Sequence, residues 1–147
     1  MAYCESDLDL FETARKELCS ALLGDILDQL GYYNQFLSAE LKPLDPEMVV
    51  AGRAMPVIEE DILAVAGECH GSGSPHKPFG LMFEALDDLR EGEVYICSGS
   101  SNTYALWGEL MSTRALKLGA AGAVVNGYSR DTNGILKLRF PTFSLGT

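Results

Sequence analysis

From residue 79 onward the chain switches regularly between two hydrophobic periods, and this switching constrains its fold more than any other feature. Helical spacing runs over 79–89, carried by Leu81, Met82, Ala85, Leu86 and Leu89. A strand-like apolar stretch follows over 93–97, and a small-residue loop over 98–103. A second helical pattern covers 107–118 (with Leu106, Trp107, Leu110, Met111 and Ala115 on one side) and meets Gly119 as its stop. A buried strand over 123–126, a short helix over 131–137 and a last strand opening at 140–143 complete the series. Helices and strands taking turns in this way predict an α/β domain with at least partly parallel strands.

The first half is less regular. Apolar residues at helical spacing run from Asp9 to Leu30 and end at Gly31, with Gly24 weakening the middle, so the stretch reads as a helix or as two helices bent at Gly24. A polar connector with Pro43 and Pro46 leads to a strand over 48–58, in which Pro56 indicates an edge or a break. Residues 67–78 combine three glycines with two prolines and read as loop. No repeat is visible, and 147 residues with 47% hydrophobic content suit one domain over 1–147 that buries its own core.

Charge narrows the partners. Eleven Lys and Arg stand against 21 Asp and Glu, a formal charge of −10, which argues against nucleic acid and against an anionic membrane surface. No apolar run approaches the ~20 residues needed to cross a bilayer. The N-terminus carries no basic segment followed by an apolar one, so no secretory signal is expected. The four cysteines, Cys4, Cys19, Cys69 and Cys97, are scattered, as free thiols in a reducing cytoplasm would be.

Two segments are candidates for chemistry. Gly108, Glu109, Leu110 and Met111 open a helix after a small-residue loop, and the first N–H groups of a helix have no internal partner and favour an anion. Water or the loop could also satisfy them. Arg130 and Asp131 follow the strand at Asn126 and Gly127. Arginine can grip a carboxylate with two parallel bonds and aspartate can hold a divalent cation, although a surface ion pair plus a helix cap is the plainer use of the same two residues. Ten helical residues cover ~15 Å out and five strand residues ~17 Å back, so Glu109 and Arg130 are expected at the same edge of the domain, the carboxyl end of the strands. His70 and His76 share a loop with Cys69 but lack zinc-ligand spacing, and neither small-residue loop is a phosphate-binding glycine motif, which argues against a nucleotide or S-adenosylmethionine site.

The segment from Gly108 to Met111, the run from Leu118 through Ala123, Asn126 and Gly127 to Asp131, and the Phe-Pro-Thr-Phe at 140–143 together resemble the RraA-like family. This family groups the 4-hydroxy-4-methyl-2-oxoglutarate/4-carboxy-4-hydroxy-2-oxoadipate aldolases with the regulator of RNase E activity A. The likeness is most specific over 92–146. It is looser over 13–60, through the opening helix and the Ala-Gly-Arg-Ala-Met-Pro at 51–56. It implies a swivelling β/β/α sandwich that assembles as a trimer or a pair of trimers. It further implies that Gly108, Glu109, Leu110 and Met111 cradle a pyruvyl group with backbone N–H groups, that Arg130 binds its carboxylate, and that Asp131 positions Mg²⁺ or Mn²⁺. In the aldolases an acid precedes Arg-Asp by twenty intervening residues, the spacing of Glu109 to Arg130 here.

Glu109 stands where the family usually has Asp, one methylene shorter, and Asn126 where many members have Asp. Family members run on past the position of Thr147 by several strands and a helix, so the chain is expected to be short at its C-terminus. The expectation is a metal-dependent class II-type aldolase or decarboxylase acting on 2-oxo acids such as 4-hydroxy-4-methyl-2-oxoglutarate or oxaloacetate. In it Arg130 and Glu109 are catalytic, and Glu109 orients a water carried by the metal or moves a proton. The alternative is a non-catalytic, protein-binding regulator on the same trimer.

Overall fold

In the computed structural model, residues 6–61 and 81–147 are described. Helices α1 (Asp7–Glu17) and α2 (Ser20–Gln29) come first, then strands β1 (Lys42–Pro43) and β2 (Arg53–Ile58). The second half runs α3 (Leu81–Asp87), β3 (Glu93–Ser98), β4 (Ala105–Trp107), α4 (Glu109–Lys117), β5 (Gly122–Ser129), α5 (Thr132–Leu138) and β6 (Thr142–Gly146). The six strands form one sheet in the order β1-β6-β5-β3-β2, with β4 adding to β5. All pairings are parallel except the two-residue β1 against β6. The expected α/β class and largely parallel sheet are therefore what the chain forms.

Strand β5 is the axis. Its Gly122, Ala123, Val124 and Val125 are all buried, as a strand covered on both faces requires. β3 flanks its first half, from Val94 against Gly122 to Cys97 against Val125, and β4 pairs with its second half at Tyr128 and Ser129. The core lies around these strands. Tyr95, Cys97, Trp107, Ala115, Val125, Ile135 and Phe140 are all essentially inaccessible, and the Trp107 ring lies 5.0 Å from Tyr95 and 6.2 Å from Phe140, centre to centre. Helices α2 and α4 both end on a glycine in the left-handed conformation, Gly31 (φ 88°) and Gly119 (φ 80°). Each closes with a pair of back-bonds, Tyr32 N–H to Leu27 O and Ala120 N–H to Ala115 O being the longer-range ones, which any side chain at the glycine would strain.

Several boundaries differ from the sequence reading. The two N-terminal helices separate at Leu18 and Cys19, both extended, and not at Gly24. Gly24 lies within α2, where the Phe36 ring packs so closely that a Cβ would collide with it, so this glycine serves contact and not bending. The first long strand begins at Arg53 and not at 48, and it does lie at the sheet's edge, where Pro56 is tolerated. The helix expected from Trp107 begins at Glu109, because 105–107 pair with β5 as β4. β5 continues past Gly127 to Ser129. Cys19 and Cys97 are free thiols, while Cys4, Cys69, His70 and His76 lie outside the described residues. Among the described residues no helix is long and apolar enough to cross a membrane.

Candidate functional site

The end of β5 returns to the start of α4, so Glu109 and Arg130 share one edge of the sheet as expected, and the turn between β4 and α4 shows how. The buried Trp107 indole donates to Ser112 Oγ at 2.7 Å, and that hydroxyl donates to Gly108 O at 3.0 Å. The Ser112 N–H makes the first helical bond to the same carbonyl. The backbone at Gly108 is thus fixed from inside the core. Arg130 N–H bonds Trp107 O at 2.9 Å, which ties the end of β5 to the end of β4. A Cβ on Gly108 would stand 3.0 Å from Asp131 Oδ2 and 3.3 Å from Arg130 Cγ, so the two charged residues lie directly over the Gly108 backbone.

The N–H groups of Glu109, Leu110 and Met111 precede that first helical bond, and among the described residues no side chain caps the helix. Their side chains divide the work. Leu110 is 79% exposed, whereas Met111 is in the core, so only its backbone faces the site. Asp131 is the N-cap residue of α5 but its side chain makes no capping bond, so of the plainer reading of the pair the surface ion pair is present and the capping bond is not. Its backbone is left-handed (φ 58°, ψ 35°), which aspartate adopts more readily than most residues. The carboxylate instead lies 3.7 Å from Arg130 Nε, both side chains largely exposed, so the pair is open to solvent and worth little to stability. Glu109 is exposed and rests against Gly134 of α5.

Among the described residues no three His, Cys, Asp or Glu side chains gather into a metal cage. A four-ligand zinc-type site is therefore not formed by these residues. The Asp131 carboxylate caps no helix and is held only by the solvent-open pair with Arg130, which fits a magnesium-type ion, since such an ion keeps several waters and takes one or two carboxylates plus substrate oxygens.

A second polar cluster joins the ends of β2 and β3 and has no counterpart in the sequence reading. The Tyr95 hydroxyl donates to Glu59 Oε1 at 3.1 Å. Burial pushes the Glu59 carboxyl above its ordinary range, opposed by hydrogen bonds from Tyr95 and Cys97. Burial, and secondly the neighbouring Glu59 charge, push the Tyr95 phenol and the Cys97 thiol well up, so Cys97 is a protonated, inert thiol. The alternation of Tyr95 and Cys97 on one strand face was the available signal, but nothing in the sequence joined it to Glu59.

A family model described as RraA-like, Aldolase/RraA, matches residues 20–147. A protein of Bacillus anthracis, provisionally named 4-hydroxy-4-methyl-2-oxoglutarate aldolase, is 35% identical over 68 residues, which is 46% of this chain and 43% of the relative. Streptomyces coelicolor RraAS2, described as an unusual member of the RNase ES inhibitor RraA family, superimposes over 99% of this chain and 66% of its own length, with a TM-score of 0.70 at 20% identity. A crystal structure reported among novel cellulases from gut-associated microbes superimposes over 99% of this chain with a TM-score of 0.77 at 23% identity, and the chain spans 61% of its length. At these identities the structural likenesses bear on the fold alone.

Proposed function

The chain belongs to the RraA-like (Aldolase/RraA) family, and from that premise we propose that it is a divalent-metal-dependent carbon–carbon lyase acting on pyruvate-containing 2-oxo acids. The observation that carries this reading is the packing of Arg130 and Asp131 directly over Gly108, at the uncapped start of α4. An aldolase-type name on a relative that shares part of this chain supports the same reaction class.

In this reading the free N–H groups of Glu109, Leu110 and Met111 take the oxygens of the pyruvyl group, and the Arg130 fork takes its carboxylate through two parallel bonds. Asp131 holds Mg²⁺ or Mn²⁺, which when bound supplies Lewis-acid stabilisation of the negative charge that develops as the carbon–carbon bond breaks. The electron pair of that bond stays on the pyruvyl fragment as an enolate, while the other fragment leaves as carbon dioxide or, from a 4-hydroxy acid, as a carbonyl whose hydroxyl proton passes to water. Glu109, on the same helix turn, orients water or delivers the proton that quenches the enolate. The protein acts in the cytoplasm as a homo-oligomer, a trimer or a hexamer. The exposed Tyr32, Tyr33 and Phe36 support assembly, since a lone chain leaves all three more than 60% accessible.

The test is pyruvate release from oxaloacetate and from 4-hydroxy-2-oxo acids, with and without EDTA. Release that EDTA abolishes and Mg²⁺ restores is the expected result. Asp131→Asn is the sharpest variant, because asparagine tolerates the left-handed backbone that alanine would strain, and so isolates the charge. It should lose metal-dependent turnover with Tm within a few degrees of the parent. Unchanged turnover sinks the metal assignment. A second reading, a protein-binding regulator without catalysis, draws on the unburied apolar residues of α2 and the connector after it. No pyruvate release from any substrate, with a homogeneous oligomer, would favour it.

A further inference from the structure

Gly134 is the third residue of α5 and has an ordinary helical backbone, so no conformational need explains a glycine there. Glycine inside a helix costs about 1 kcal/mol relative to alanine. Its N–H bonds Asp131 O at 2.8 Å, a bond any residue but proline would make. What the position does require is room. A Cβ on Gly134 would fall inside the Glu109 carboxylate and 2.7 Å from its Cγ. The arrangement is reciprocal: Asp131 lies over Gly108 of the first segment, and Glu109 lies over Gly134 of the second. Each carboxylate is seated on the other segment's glycine.

We propose that Gly134 is a positioning residue that holds the Glu109 carboxylate beside the Arg130–Asp131 pair, and that a glutamate at 109 works only with glycine at 134. Its functional consequence rests on the lyase reading. The seat itself does not. Glu109 is exposed and its side chain flexible, so a methyl at 134 is relieved by swinging the carboxylate away. Gly134→Ala therefore costs position and not stability. An alanine at 109 has no carboxylate to seat and leaves position 134 open, because the atoms over Gly134 are Glu109 Cγ and its carboxylate.

Four proteins test this: the parent, Gly134→Ala, Glu109→Ala and the double variant. Gly134→Ala should lower kcat about tenfold or more with KM changed less than twofold, while Tm stays level or rises. In the Glu109→Ala background, which has no carboxylate to displace, the same substitution should change the residual kcat less than twofold. The carboxyl ¹³C resonance of labelled Glu109 should shift on Gly134→Ala, a readout that needs no activity. If that resonance does not move, the proposal is overturned whatever the kinetics. If it moves but kcat is unchanged, the positioning role is overturned. If it moves and the parent releases no pyruvate, the lyase reading fails and the seat stands. Should Gly134→Ala lower Tm, Glu109→Ala in the same chain decides: recovery assigns the clash to Glu109, and no recovery overturns the assignment.

Discussion

Helix α4 and helix α2 have similar lengths and similar one-sided apolar patterns, yet they live in different surroundings. α4 buries Met111, Ser112 and Ala115 against the sheet, while α2 buries only Gly24 and leaves Leu22, Leu23 and Ile26 about 40% exposed. α1 buries no residue at all. It is held at the entrance to β2 by polar ties: Arg53 Nε to Asp7 at 2.9 Å and Arg15 to the Ala51 carbonyl at 2.8 Å. Leu8 also lies over Gly92. An amphipathic pattern thus specifies a helix in both halves, but only the helices of the second half add side chains to the core. The candidate site is built entirely on that half, where Trp107 and Ser112 lock the backbone under it.

The contrast predicts unequal costs for removing apolar side chains. Trp107 is 1% exposed and packs between a tilted Tyr95 ring and a stacked Phe140 ring, so Trp107→Ala should cost ~3–5 kcal/mol in denaturant unfolding and take the Gly108 turn with it. A cost below ~1 kcal/mol would break the division into a packed half and a loosely packed one. Next in size is a change that leaves the packing alone. Arg130→Lys keeps the charge but loses the fork, and should cost about 1.5–3 kcal/mol of transition-state stabilisation, or one to two decades in kcat/KM. Near-parental kinetics would mean that Arg130 only pairs with Asp131 at the surface.

Much of the packed half was legible because its elements are local and periodic. That Glu109 and Arg130 share an edge was expected from a helix running out and a strand running back, although β5 runs for eight residues and not five. What escaped has a common cause. β4 is three residues long, too short to show a period, and it exists because Tyr128 and Ser129 are there to pair with it. Gly134 looks like a weak helix residue until Glu109, 25 positions earlier, is seen above it. Gly24 misled in the same way, since Phe36 explains it and no local rule does. Glycines that serve close approach carry their reason in a distant residue, whereas Gly31 and Gly119, which serve helix ends, carry it next door.

A smaller effect sharpens the other side of the contrast. Ile26 is 42% exposed, so Ile26→Ala should cost under ~1 kcal/mol when the chain is dilute. If the cost instead reaches that of a core truncation and grows with protein concentration, α2 is covered by another copy and its exposure belongs only to the single chain.

The smallest expected effect sits where the two halves meet. Glu59 follows β2 and accepts from Tyr95 on β3, so one carboxyl links the edge strand to the core. Burial raises its folded pKa above the ordinary value of 4.5, more than the hydrogen bonds lower it. The folded chain therefore holds this proton to higher pH than the unfolded chain does. Stability from this group is present in full below the unfolded value, falls as pH rises through the folded one, and is level above it. Other carboxylates titrate in the same range, so the informative quantity is the parent minus Glu59→Gln, which keeps a carbonyl to accept from Tyr95. Melting both proteins from pH 4 to pH 8 should show the parent losing stability relative to the variant by less than about 1 kcal/mol, a few degrees in Tm. The variant should be the more stable of the two at neutral pH. A difference of the opposite sign would mean that Glu59 is stabilised as the charged form, and that the junction between β2 and β3 is wet where the packed half is dry.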